Sequence, residues 1–254
     1  MLAFEGACQV DASDEPHALV LRGSERPAGG RPPGGFINNG LNDPDIGGFD
    51  PDYALDTTAG LDGAALGDPD RLLTARYVVE CALSAEQRVT KEVDGSLVEF
   101  EGALGLAPQW RDSACDQDCR QWVSACVLAR TNVSGQTVML WLQADHPALG
   151  TDPDPDYPHY EASFFGDVFA DPEQAYLCPG LLTGPVFAQL EGRTCSNLVG
   201  GWCDFTTYLG CELLPTRCAF TGSLLSPTAV DCKAGELPSS APFNTISSYV
   251  AAPL

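Results

Sequence analysis

From Val89 to Val93 and again from Leu97 to Phe100, apolar and polar residues alternate, and Asp94-Gly95 separates the two runs. Period-two alternation places one set of side chains on a buried face. An Asp-Gly pair tolerates the positive φ angles of a tight turn, so the segment predicts a β-hairpin. Upstream, Leu72, Tyr77, Val79 and Cys81 recur at helical spacing as far as Leu83. Asp68 stands where a cap belongs and Pro69 and Asp70 fill the first turn. A second helix is expected from Ser113 to about Arg130 with Asp112 as its cap, followed by a turn at Asn132 to Gly135 and a strand at Thr137 to Leu142. Shorter strand patterns occur at Ala18 to Leu21 and Asn244 to Val250.

On the second helix, successive residues turn by about 100°, which sets Cys115, Cys119, Trp122 and Cys126 within a stripe of roughly 60°. That face points inward. Cysteines one turn apart bridge each other only with strain, so each is expected to reach a different segment. Cys81 is the natural partner of Cys126 or Cys119, with Cys178 or the tail serving the others. From Cys178 onward the order Cys178, Cys195, Cys203, Cys211, Cys218, Cys232 runs through glycine, proline, serine and threonine with little periodicity. The fold class is therefore α+β: two main helices on a mostly antiparallel sheet, with a disulfide-stapled, loop-rich C-terminal lobe. Three stretches follow: residues 1–67 with an N-terminal strand, a Pro/Gly linker and an acidic arm, residues 68–177 as the α+β core, and residues 178–254 as the Cys-rich lobe with a terminal strand.

With 44% hydrophobic residues in 254, the chain can bury a sizeable core. Its 11 cysteines, none in a C-x-x-C pair, indicate disulfides in an oxidising compartment rather than a thiolate metal site. An odd count leaves one over, and Cys8, remote from the rest, is the expected unpaired residue. Glu5 interrupts any apolar run before Cys8, which argues against a lipid anchor there. No basic and long apolar stretch follows Met1, so an export signal is expected to have been removed. The longest apolar run, Val138 to Leu142, is far short of a membrane span.

Thirteen basic against 35 acidic residues give a net charge of −22, which excludes nucleic acid and anionic membranes as partners. From Pro32 to Asp70 there is no lysine or arginine but eight aspartates, and like charges at that density resist compaction unless something neutralises them. Asp152, Asp154 and Asp156, at every second residue, are the strongest candidate for a hard cation, with Asp43 and Asp45 a similar pair; calcium is the one cofactor the sequence suggests. As an EF-hand the run fails, because Tyr157 and Ser163 occupy the glycine and glutamate positions. The competing reading is a proline-stiffened, solvated acidic loop.

No catalytic constellation stands out. His17, His146 and His159 never fall two to a helical face, so a zinc hydrolase lacks its ligands. His146 is a candidate general base, and Glu99 with Glu101 a candidate acid and base pair on one hairpin face. Asn132-Val133-Ser134 matches a glycosylation sequon in an accessible turn.

Three stretches carry a family likeness: Tyr77 to Leu83, Gly102 to Asp112 with its Pro108-Gln109-Trp110-Arg111, and Cys115 to Asn132 with Cys119, Trp122 and Cys126. Over about residues 70 to 180 this resembles a group of cysteine-rich secreted proteins from myxobacteria and their relatives. In that group Asn-Gly-Leu runs precede the module, to which Asn39-Gly40-Leu41-Asn42 is similar. The resemblance implies an exported or surface protein and transfers no catalytic residue. The resulting expectation is a non-enzymatic extracellular, periplasmic or cell-surface structural protein that contacts itself or another extracellular protein, self-assembling through a terminal strand or arm. The alternatives are a secreted hydrolase with carboxylates in an aromatic-lined cleft near Tyr157 to Phe169, and a calcium-dependent binding module.

Overall fold

The computed structural model describes residues 35–42, 44–132, 137–180, 205–208, 211, 217–223, 226–235 and 240–251. The strand expected at residues 18–21, most of the turn after Asn132, and Cys8, Asp43, Cys195 and Cys203 lie outside them. In chain order the elements are β1 (Gly35–Asn39), α1 (Pro69–Ala82), β2 (Arg88–Val93), β3 (Ser96–Glu101), α2 (Gln117–Ala129), β4 (Val138–Gln143), β5 (His159–Asp167), β6 (Gln174–Pro179), β7 (Thr206–Thr207), β8 (Ala219–Ser223), β9 (Ser226–Val230) and β10 (Thr245–Val250). The fold is α+β, as the hydrophobic pattern indicates. Six strands form the main sheet in the order β1-β4-β10-β5-β6-β7, antiparallel throughout except where β7 joins β6.

Helix α1 starts where the sequence places it: Asp68 Oδ1 accepts the N–H groups of Asp70 and Arg71, with Pro69 in the first turn. The β2–β3 hairpin pairs Val93 with Ser96 across Asp94 and Gly95, whose φ angles of 50° and 77° are those of the turn that suits a two-residue connection. Helix α2 differs from expectation. Asp112 does not cap it; a 3-10 turn at Pro108–Arg111 intervenes, and Asp116 caps by accepting the Cys119 N–H at 3.0 Å. Cys115 therefore lies before the helix, off the stripe formed by Cys119, Trp122 and Cys126.

The main sheet is covered on both faces. Leu140, Leu142, Phe164, Ile246 and Val250 pack with α2, α1 and the hairpin in one hydrophobic core. Between Ser248 and Tyr249 the register against β5 shifts past Glu161, a bulge that turns Tyr160 to the opposite face beside Trp141 and Tyr249. On that face hydroxyls take over from methyl groups. Ser163 Oγ lies 2.8 Å from Ser247 Oγ and 2.6 Å from Tyr160 OH, Ser247 Oγ accepts the Ala229 N–H, and Tyr249 OH donates to the Pro227 carbonyl. The β8–β9 hairpin is held there by these bonds.

Of the two dockings open to the terminal strand, its own sheet or a neighbour's, the first is found, and the acidic stretch differs from expectation. Strand β10 lies between β4 and β5, and its six residues are all buried, so it is not available to a neighbouring molecule's sheet. The acidic stretch is not a separate arm. Its strand β1 pairs with β4, and Leu55, Leu61 and Leu66 belong to the main core. Segments 1–67, 68–177 and 178–254 thus all supply strands to one sheet.

Candidate functional site

Aspartate in this chain builds backbone turns. Asp45 Oδ1 accepts the N–H of Gly47, Asp50 that of Asp52, Asp62 that of Ala64, Asp68 that of Asp70, Asp154 that of Asp156 and Asp167 that of Phe169, at 2.8 to 3.1 Å. Each is an Asx turn, in which a carboxylate two residues back replaces a backbone acceptor. Where proline follows, its fixed φ removes one rotational freedom from the turn, which explains the recurring Asp-Pro-Asp.

Two cations answer the charge density that the sequence raised. Lys91 projects from β2 toward the acidic loop and is only 6% exposed; its Nζ donates to the Thr57 carbonyl at 2.6 Å. Burial pushes its pKa down, while Asp56 and Asp62 pull it back up. The loop hugs the hairpin so closely that a Cβ on Gly63 would lie 2.3 Å from the Glu92 carbonyl oxygen. Arg71 Nε meets Asp45 Oδ2 at 2.9 Å. Partial burial opposes ionisation of Asp45, but Arg71 and the Gly47 N–H outweigh it and hold this carboxyl below its usual range.

Among the described residues, the calcium candidates are not gathered. Asp152 offers its backbone carbonyl to Trp141 Nε1 at 3.3 Å and Gln143 Nε2 at 2.9 Å. Asp154 is buried, with Oδ1 engaged in its turn, and Asp156 is exposed. Asp45 is paired with Arg71. Among the described residues, the group of three His, Cys, Asp or Glu side chains with ligand atoms within 4.8 Å of one another is Cys178, Cys211 and Cys218, and all three sulfurs are bridged.

The aromatic-lined cleft is also corrected. Tyr160, Phe164 and Phe165 are fully buried in the sheet, and Phe169 packs edge-on against Trp110 in the core. Glu99 pairs with Arg88 at 3.2 Å on the water-facing side of the hairpin, with Glu101 exposed beside it. A recess lined by two carboxylates lies elsewhere. Trp122 of α2, Asp145 after β4, Val230 and Asp231 at the end of β9, and Asn244 and Thr245 at the start of β10 surround about 110 Å³. The antiparallel pairing of β4 with β10 brings Asp145 to Thr245, and Asp231, at φ 53°, turns the chain out of β9 toward them. Asn244 Nδ2 donates to Asp118 Oδ1 at 2.9 Å, its backbone N–H to Gln121 Oε1, and the Thr245 hydroxyl to the Phe243 carbonyl. A space that small admits water-sized groups, whereas organic ligands occupy sites of roughly 300–1,000 Å³.

His146 borders Trp122 at 4.8 Å between ring centroids and is not placed as a base. Its Nδ1 accepts the Ala148 N–H at 3.1 Å, and its ring also bonds the Leu106 backbone. Burial lowers its pKa despite Asp118 nearby, so it stands as a neutral structural residue.

The sulfur pairing is the best-defined chemistry. Cys81 bridges Cys126, joining α1 to α2 as the sequence allowed. Cys115 bridges Cys119, against the expectation that they reach different segments. The reason is the late start of α2: Cys115, in extended chain and tied to the Pro51 carbonyl by its N–H, swings back over the first turn, so no intrahelical geometry is involved. Cys178 bridges Cys211 and Cys218 bridges Cys232. No sequence signal singled out Arg130, which is 2% exposed and binds Asn38, Tyr77 and Glu80 together, nor the buried Asp167 beside Arg120. A single cation at a helix C-terminus has no periodicity to reveal its burial. No family model, curated protein or solved structure matches the chain.

Proposed function

We propose that this chain is a non-enzymatic extracellular or cell-surface structural or interaction protein whose durability rests on covalent bracing. The observation that carries the reading is that all eight described cysteines are bridged, in four pairs spread over α1, α2, β6 and the β8–β9 region. Such bridges persist in oxidising compartments and are rare in the cytosol. The sequence resemblance to exported cysteine-rich proteins points the same way. Of the candidate carboxylates, Asp45 and Glu99 are held in ion pairs and Asp154 in a turn, which favours a framework over a reaction centre. Its partner is a second copy or another extracellular protein. Contact takes place through the outer surface, since β10 is internal.

Fractionation of producing cells, with thiols trapped by alkylation at lysis, tests this. The protein is expected in the medium or envelope with those eight cysteines unalkylated. A cytosolic pool alkylated at the same positions would sink the reading.

A further inference from the structure

Two of the bridges touch. Cys178 is the penultimate residue of β6 and Cys232 follows β9, while Cys211 and Cys218 come from the chain between; their bridges are Cys178–Cys211 and Cys218–Cys232. Cys178 Sγ lies 3.9 Å from Cys218 Sγ, and the Cys178, Cys211 and Cys218 sulfurs all lie within 4.8 Å of one another. All four cysteines are at most 1% exposed, enclosed by Phe165 and Ala229 with Tyr176, Tyr208, Phe220 and Phe243 around them. Strand pairing of β6 with β5 and of β8 with β9 fixes the chain on either side of the inner pair, so opening one bridge leaves Cys178 and Cys218 face to face.

We propose that these four cysteines form one thiol–disulfide exchange centre, with a crossed bridge, Cys178–Cys218, as its second covalent state. A dithiol reductant opens Cys218–Cys232, giving two thiols and a cyclic disulfide on the reductant. The Cys218 thiol loses its proton to solvent and the thiolate attacks Cys178 Sγ. The Cys178–Cys211 bond breaks, and its electron pair leaves on Cys211, which takes up a proton. If Cys178–Cys211 is opened first, the Cys178 thiolate attacks Cys218 Sγ and expels Cys232. Both routes give the same product, because Cys178 and Cys218 are the inner pair. Whichever bridge is reduced, the thiols emerge at Cys211 and Cys232.

The full-length Cys232→Ser chain tests this without reductant. Incubated natively at pH 8, alkylated, acid-quenched and digested unreduced, it is expected to carry label on Cys211 together with a Cys178–Cys218 cross-linked peptide. Cys211→Ser is expected to yield the same crossed peptide with label on Cys232. The untreated parent sets the background from the remaining cysteines. Label confined to Cys218 in the first variant and to Cys178 in the second overturns the proposal. Should either variant fail to fold, the parent chain given a brief pulse of dithiothreitol provides the same readout. The crossed peptide among singly reduced molecules supports exchange, and native bridges alone in all of them refute it.

Discussion

Replacing Arg130 with methionine removes one guanidinium and the contacts it makes. The buried head donates from Nε to the Asn38 carbonyl at 2.8 Å and from one terminal nitrogen to the Tyr77 carbonyl at 3.2 Å. It pairs with the Glu80 carboxylate through the other terminal nitrogen and lies 4.0 Å above the Tyr77 ring. Methionine fills much of the volume, so the loss is polar. Breaking a buried ion pair from one side costs about 3–5 kcal/mol when the remaining charge stays buried. Glu80 keeps 30% of its side chain exposed and recovers water, which sets its share near the bottom of that range. The carbonyl of the half-buried Asn38 loses its side-chain donor, adding about 1 kcal/mol. A total of about 4 kcal/mol corresponds to a midpoint lowered by roughly 8–16 °C, at roughly 2–4 °C per kcal/mol for a chain of this size. Thermal and urea unfolding with disulfides intact measure it. Arg130→Lys, which keeps the charge and fewer donors, is expected to fall between, and the coupling of Arg130→Met with Glu80→Gln to exceed about 1 kcal/mol in a double-mutant cycle. An Arg130→Met chain within about 0.5 kcal/mol of the parent refutes this account of the residue.

Four other outcomes are expected. Asp50→Asn, which keeps the turn acceptor while reducing the acidic charge, leaves stability unchanged or slightly higher, whereas Asp68→Ala removes a cap and costs about 1 kcal/mol in urea titration. Breaking Cys81–Cys126 with two serines costs roughly 4 kcal/mol and breaking Cys115–Cys119 roughly 2, because chain-entropy loss grows with the logarithm of the closed loop; equal costs would contradict the pairing. His146 is held below its ordinary pKa, so the unfolded chain binds the extra proton first. Its contribution is present above about pH 6.5 and fades as pH falls toward the folded-state value, and His146→Asn flattens that part of the stability profile. Added calcium leaves the melting midpoint where a chelator leaves it; a rise of several degrees would restore the binding-module reading.

Much of the framework was legible because it is periodic. The Asp94-Gly95 hairpin, the Asp68 cap and the inward face of α2 follow from spacing alone. The start of α2 was misread because Asp112 and Asp116 are both competent caps, and the Pro108-Gln109-Trp110-Arg111 turn, fixed by Trp110 in the core, decides between them. Residues 44–67 looked like repelling charge because the neutralising cations, Lys91 and Arg71, come from elsewhere in the sequence. Strand β10, with Ser247 and Ser248 at its centre, carries no sign of burial on two faces; the Ser163 hydroxyl and Ala229 N–H at Ser247, and the Glu161 carboxylate at Ser248, make those positions tolerable. The recess at Asp145 and Asp231 joins residues 86 positions apart, beyond the reach of any local pattern.

The place of β10 also dictates when the protein becomes itself. Its neighbours β4 and β5 are made about a hundred residues earlier, yet they never pair with each other; each waits with one edge open until residues 245–250 emerge from synthesis. A growing or truncated chain therefore presents two unsatisfied strand edges, the surfaces that chains use to stick to one another. The sheet closes only once residues 245–250 are in place between β4 and β5.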